Sequence, residues 1–408
     1  MKIENKSIYH QHNQIDKKLQ KTTEQLNVRR RNRSMLLIVA ILVTLSVLNM
    51  LSVGFYKEDL FSVKKHIIII FGAFWVALLP TAVILDYKIY RKSFMKLLMF
   101  LGSVVVLIFI IIGAKFLPSV VKVINGATGW IDIGFTTIQP SEMLKIPFII
   151  LMANILAKGE EKNLPIKMIV LNSFILFVIY ALLISKQNDL GTIIHYGAIY
   201  IFMLFLTKID KNIILKIVSL AISSAALGCY LIFKHADKLG DDYKIRRIKM
   251  FLEGLVSDKY MGNSDIGYQV GQSLLAFGNG GILGRNYGNG VQKYNYLPEI
   301  HTDFIMALFG EEMGFVGVII VIMLFFILYN LMTETGIQCK DPFGRYLSLG
   351  IAGYIISQFL INIFVAVGLL PVFGIPMPIF SYGGSSIVTI FVGIGIVINI
   401  NKSMFDKK

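Results

Sequence analysis

Apolar runs close to twenty residues long recur from about position 36 to position 400. A helix of about 20 apolar residues crosses the ~30 Å hydrocarbon of a bilayer with its backbone groups bonded internally. The pattern excludes a string of soluble domains. Shorter alternating segments are missing, which excludes a membrane barrel. The spacing predicts ten spans, at about 36–56, 66–85, 95–117, 141–158, 167–185, 190–207, 212–233, 304–330, 346–368 and 383–400. The expected fold class is all-α, a polytopic membrane bundle. Of the 408 residues 55% are hydrophobic, and the mean hydropathy is +0.67.

The net charge of +15 would point to nucleic acid in a soluble protein. In this chain Lys and Arg collect in short connections such as "DYKIYRKSF", "AKGEEKNLPIK", "TKIDKN" and "TETGIQCKDPFGR". Cytoplasmic loops carry that bias, so no nucleic-acid partner is expected and both termini are placed in the cytoplasm. Residues 1–35 then read as a mobile basic tail ending in "RRRNR", 36–400 as the membrane domain, and 401–408 as a second tail. Two long segments, 118–140 and 234–303, fall outside the cell. The second has apolar pieces suited to re-entrant or interfacial helices. A polar lead of about 35 residues, with no small-residue cleavage site after the first apolar run, does not read as a signal peptide. Cys229 and Cys339 lie on different segments and show no metal-ligand spacing, so no disulfide is expected.

Carboxylates stand out against this background. In "YLPEIHTDFIMALFGEEMGF", Glu299, His301 and Asp303 precede a span that contains Glu311 and Glu312. Thr302 reads as an N-cap, which puts Asp303 at the outer mouth of that span, where a helix N-terminus favours an ionised acid. Such an acid is either a general base or an interfacial anchor. Glu311 and Glu312 lie about 12 Å deeper and read as structural polar contacts. In "GWIDIGFTTIQPSEMLK", Trp130 suits a headgroup zone or a sugar ring, Pro140 opens a helix, and Glu142 and Lys145 pair at i, i+3. That pair is either structural or part of a polar cavity. Asp189 in "KQNDLGT" reads as a cap. The cluster Lys244, Arg246, Arg247 and Lys249 could hold a phosphate or merely touch lipid. "FGNGGILGRNYGNG" matches neither a P-loop nor a dinucleotide fingerprint and reads as a flexible loop. Gln358 and Asn362, at i, i+4 before the helix-breaking "PVFGIPMP", suggest a wet cavity between the fourth, eighth and ninth spans.

The ordered set "GWIDIGFTTIQPSE", "QNDLGT", "GYQVGQSLLAFGNGGILG", "YLPEIHTDFIMALFGEEMGFVG" and "GLLPVFGIPMPIFSYGGSS" resembles the SEDS family, its FtsW/SpoVE branch more than RodA. The resemblance implies a peptidoglycan glycosyltransferase that polymerises lipid II on the outer face of the bacterial cytoplasmic membrane. It would work for the septum, beside a class B penicillin-binding protein and other divisome or elongasome membrane proteins. The same activity in elongation, and a lipid II flippase, are the alternatives.

The family's essential acid falls on Asp303. Substrate contacts are expected at Trp130, Glu142, Lys145, Gln187, Asp189, Arg246 and Arg247. They are also expected at Gln272, Ser273, Glu299, His301, Thr302, Ser381 and Ser385. No organic cofactor is implied, and a divalent cation (Mg or Mn) is a candidate. The chain departs from the family pattern at Gly129, where a basic residue often precedes the Trp, at Asn188, where proline is usual, and at Thr137, where Arg is frequent.

Overall fold

The computed structural model describes residues 2–56, 60–124, 126–207, 209–235, 248–249, 251–252, 265–294, 296–297 and 300–404. The helices are α1 (Lys2–Tyr56), α2 (Leu60–Ala73), α3 (Ser93–Phe116), α4 (Pro140–Met143), α5 (Lys145–Glu161), α6 (Ile166–Ser185), α7 (Leu190–Phe205), α8 (Lys211–His235), α9 (Asp265–Gly280), α10 (Ile305–Gln338), α11 (Pro342–Ala366) and α12 (Gly384–Ser403). Eight helical segments among the described residues are long and apolar enough to cross a membrane. The shorter α7 and the 25-residue α8 occupy the two other positions where spans are expected. The chain is a multi-pass helical membrane protein.

α5, α11 and α12 are buried nearly all round and form the centre, whereas α3 and α6 each bury one stripe. The tail expected to be mobile is instead helical, continuous with the first span. Neither Pro nor Gly occurs before Gly54, and Lys, Glu and Gln are good helix formers. Arg31 is buried and donates to Glu334 at 2.6 Å, to Gln338 at 2.8 Å and to Asn401 at 3.1 Å, which ties α1 to the far ends of α10 and α12.

More polar contacts close that end of the bundle. Arg91 pairs with Glu161 and, at 3.3 Å, with Asp341; Arg345 pairs with Glu160. Tyr87 donates to Asp341 at 3.0 Å. Burial, then the nearby Asp341, holds its phenol above the usual range, so it stays a neutral donor.

At the other end the segment after α3 forms an antiparallel sheet, β1 (Val121–Ile124), β2 (Ala127–Asp132) and β3 (Thr137–Ile138), in the order β1-β2-β3. The sequence held the signal in β-branched residues around an Asn-Gly pair. Lys122 faces Trp130 across the first hairpin.

α10 breaks at Gly314 (φ 67°, ψ −173°). The freed amides of Phe315 and Val316 donate to the carbonyls of Gly281 and Ile282, and the Arg285 amide donates to Glu311. The glycine-rich segment is therefore a packed patch over a broken helix, not the flexible loop its composition suggests. A Cβ at position 314 would lie 2.5 Å from the Ile282 carbonyl oxygen, at a φ that L-residues rarely adopt. Gly314→Ala is expected to destabilise the protein by at least about 2 kcal/mol, read as a lower midpoint in thermal unfolding in detergent.

Both acids of "GEEMG" are fully buried and bonded. Glu312 accepts from Ser52 at 2.6 Å, Lys293 at 3.1 Å and the Gly290 amide at 3.2 Å. Glu311 accepts from the Gln292 amide at 3.0 Å and lies 3.6 Å from Arg285. They clamp α1 and the segment after α9 to α10, in keeping with their reading as structural contacts.

Candidate active site

Asp303 precedes the helix rather than starting it. α10 begins at Ile305, with Phe304 as a cap that makes no side-chain bond, so Thr302 is not the N-cap. The physical reason is competition for the backbone. The carbonyls of three consecutive residues are held from outside the segment. The Tyr382 amide donates to His301 (2.8 Å), the Ser381 hydroxyl to Thr302 (2.5 Å) and the Asn362 amide nitrogen to Asp303 (2.9 Å).

The Pro-rich stretch between α11 and α12 supplies the first two of these bonds and is itself held by α11. Asn362 also donates to the Ile375 carbonyl at 2.9 Å, and Gln358, one turn away, donates to that of Pro376 at 2.8 Å. Prolines 371, 376 and 378 cannot continue a helix, so the carbonyls around them need such partners. On its other side the stretch meets α7 backbone to backbone: a Cβ at Gly191 would run into the Phe373 carbonyl oxygen.

These elements enclose a cavity of about 290 Å³. His301, Thr302 and Asp303 line one side, and Pro371 to Gly374, Pro376 and Tyr382 to Gly384 another. Ile124, Ala127, Trp130 and Thr137 of the sheet, Thr136 just before β3, Gln139, and Asn188 to Gly191 complete the wall, together with Ile248. Position 374 bears directly on the acid, since a Cβ there would lie 3.7 Å from Asp303 Oδ2. None of the lining residues described is Lys or Arg. The volume is at the small end for ligand sites, which run from about 300 to 1,000 Å³.

Of the residues expected to contact substrate, Trp130, Asp189, His301 and Thr302 line this cavity with Asp303. Asp189 caps α7: it accepts from the Thr192 amide at 2.9 Å, the Thr192 hydroxyl at 2.7 Å and Gln139 at 2.8 Å. Others are committed elsewhere. Glu142 and Lys145 pair with each other, almost fully buried, and Lys145 lies 5.7 Å from the Tyr354 ring centre. The Ser273 hydroxyl donates to Ala366, that of Ser381 bridges Met377 and Thr302, and that of Ser385 accepts from the Gln139 amide. Gln187 is buried beside Gly129, and neither polar atom of its side-chain amide finds a partner among the described residues. Gln272 is half-buried on α9 and outside the lining set. Arg246, Arg247 and Glu299 lie outside the described residues, as does Lys244.

A model of the "Cell cycle protein" family, covering FtsW, RodA and SpoVE, matches residues 32–405. The chain belongs to the FtsW/RodA/SpoVE family. Within it, a probable peptidoglycan glycosyltransferase FtsW of Geobacter sp. (strain M18) is 36% identical over 323 residues, 78% of this chain and 81% of the relative. The FtsW of Escherichia coli O157:H7 is 34% identical over 308 residues, 74% of this chain and 69% of the relative. The family's solved structures share the fold. A chain from a peptidoglycan synthase complex that coordinates polymerization and crosslinking superposes with a TM-score of 0.72 at 22% identity, covering 90% of this chain and 97% of its own. Thermus thermophilus RodA gives 0.63 at 21% identity, covering 90% and 96%.

Reading motifs alone missed several of this FtsW/RodA-type chain's polar partners. Gln139 and Tyr382 line the cavity, Lys293 pairs with Glu312, and Ser52 donates a hydrogen bond to it. Lys65, in the "KK" before the apolar part of α2, lies 6.0 Å from the Tyr382 ring centre and 5.5 Å from that of Phe135. Their signals are single polar residues at span ends, which composition cannot distinguish from interfacial anchors.

Proposed function

We propose that the cavity at Asp303 is the active site of a peptidoglycan glycosyltransferase, which polymerises lipid II into β-1,4 glycan. The observation that carries this reading is Asp303 on a cavity wall that it shares with Trp130, at the end of the bundle opposite the ion pairs of Arg31, Arg91 and Arg345. It supports a topology in which the cavity opens on the outer face of the cytoplasmic membrane and both termini are cytoplasmic. Residues 1–35 and 401–408 are then cytoplasmic, 36–400 the membrane domain, and 118–140 and 234–303 extracellular. The span count in this reading is ten.

Asp303, as general base, takes the proton from the 4-hydroxyl of the acceptor GlcNAc. The oxygen attacks C1 of the MurNAc at the growing end and expels undecaprenyl pyrophosphate with inversion. Pyrophosphate is a good leaving group and needs charge neutralisation more than a proton. Arg246 and Arg247, the sequence candidates for that role, lie outside the described residues; Lys65, 6.0 Å from the Tyr382 ring centre, is a further candidate. A bound divalent cation would supply the same neutralisation. Trp130 offers an apolar face to a sugar ring. Septum synthesis beside a class B penicillin-binding protein follows from the likeness to FtsW sequences.

The polar contacts that close the opposite end argue against a flippase, which needs a path to both faces. The test is purified protein in liposomes with lipid II, with and without the transpeptidase and with divalent ions varied. Glycan strands resolved by length are expected. Movement of labelled lipid II across the membrane with no glycan formed would favour the flippase.

A further inference from the structure

Asn362 is fully buried on α11, outside the cavity lining. Both hydrogens of its amide group are used, one on the Asp303 carbonyl and one on the Ile375 carbonyl, each at 2.9 Å. Its own oxygen has no donor among the described residues, so the group acts as a two-pronged donor. Swapping oxygen and nitrogen would set an acceptor against two acceptors, which fixes the orientation. One side chain therefore ties the residue that carries the acid to the loop that forms the facing wall. Gln358, one turn along the same helix, makes a matched pair of bonds to the Pro376 carbonyl (2.8 Å) and the Ser386 hydroxyl (2.9 Å), neither of which involves Asp303.

We infer that Asn362 is a positioning residue: it sets the distance between the Asp303 carboxylate and the wall at Gly374. The inference rests on the proposed role of Asp303. A general base works only within hydrogen-bond reach of its proton, and a misplacement of about 1 Å can cost about 10²-fold. Of the three bonds that hold the carbonyls of residues 301–303, the one from Asn362 ends on residue 303 itself. It also starts from a helix buried nearly all round, whereas the other two start from a loop.

The experiment compares Asn362→Leu with Gln358→Leu in liposomes. Each removes two amide-donor bonds from α11, and only the first removes a bond to residue 303. For Asn362→Leu, kcat for lipid II polymerisation is expected to fall about 100-fold, with KM within twofold of the wild type. Gln358→Leu should lose less than about fivefold, and thermal midpoints should fall by similar amounts in the two variants. Equal losses of kcat, or Asn362→Leu within threefold of the wild type, would overturn the inference.

A second readout does not need turnover. Carbodiimide coupling of glycine ethyl ester to Asp303, followed by mass spectrometry, should proceed at a different rate in Asn362→Leu and at the wild-type rate in Gln358→Leu. An unchanged rate in Asn362→Leu overturns the positioning. A wild type that labels at Asp303 but makes no glycan overturns the polymerase reading instead. Should Asn362→Leu not fold, Asn362→Ser, which keeps a single donor, takes its place with the same expected direction in both readouts.

Discussion

Asp303→Asn is expected to lower lipid II polymerisation by about 10²–10⁴-fold while the protein still folds and elutes as the wild type does. The substitution keeps size and shape but replaces the basic carboxylate that would accept the sugar's proton with a non-basic amide. The bonds from Tyr382, Ser381 and Asn362 end on the backbone carbonyls of residues 301–303, which the substitution leaves in place. Binding of lipid II should survive, since a base that acts in the transition state contributes to kcat more than to substrate affinity. The measurement is the initial rate of glycan formation in liposomes, beside a thermal melt of the same preparation. Wild-type rates from pure Asp303→Asn protein would remove Asp303 as the base. A rate loss matched by a collapsed melt would mean that the residue is structural.

Lys145→Met is expected to destabilise the bundle by about 3–5 kcal/mol, because it strands the Glu142 carboxylate in the interior. Both partners are almost completely buried, and Glu142 Oε2 already lacks a donor among the described residues. The double variant Glu142→Gln/Lys145→Met should recover most of that loss, since it removes both charges and keeps the volume. The check is the set of unfolding midpoints in detergent for the two single variants and the double. This pattern separates a structural pair from a substrate contact. If Lys145 instead bound the substrate's phosphates, Lys145→Met would leave the midpoint almost unchanged and raise KM, and the double variant would restore nothing.

The span pattern was legible because hydrophobic length is a local property. α3, α5, α6 and α11 each show as an apolar run that ends at Lys, Gly or Pro. The cap at Asp189 and the start at Pro140 were legible for the same reason: both bonds close within three or four residues. Asp303 stood out as an acid beside a span, and the ordered motifs carried its meaning. The sequence did not reveal the start of α10 at Ile305, because the bonds that hold residues 301–303 come from positions 59 to 81 residues away. The packed glycine segment was hidden in the same way: its partners lie on α10, across a break at Gly314 that an apolar run conceals.

By itself, then, the sequence determined that this chain crosses a membrane many times as helices, and which acid lies at the mouth of a span. Both follow from the cost of exposing backbone and charge to lipid, which each segment meets alone. Only the tertiary structure decided which polar groups face the cavity and which are used up in holding it. Glu142, Lys145, Ser381 and Ser385 read as site residues one by one, yet their charges and hydroxyls are engaged with the protein itself. A buried polar group needs a partner, and in a bundle that partner comes from another helix, whose approach no local stretch of sequence specifies.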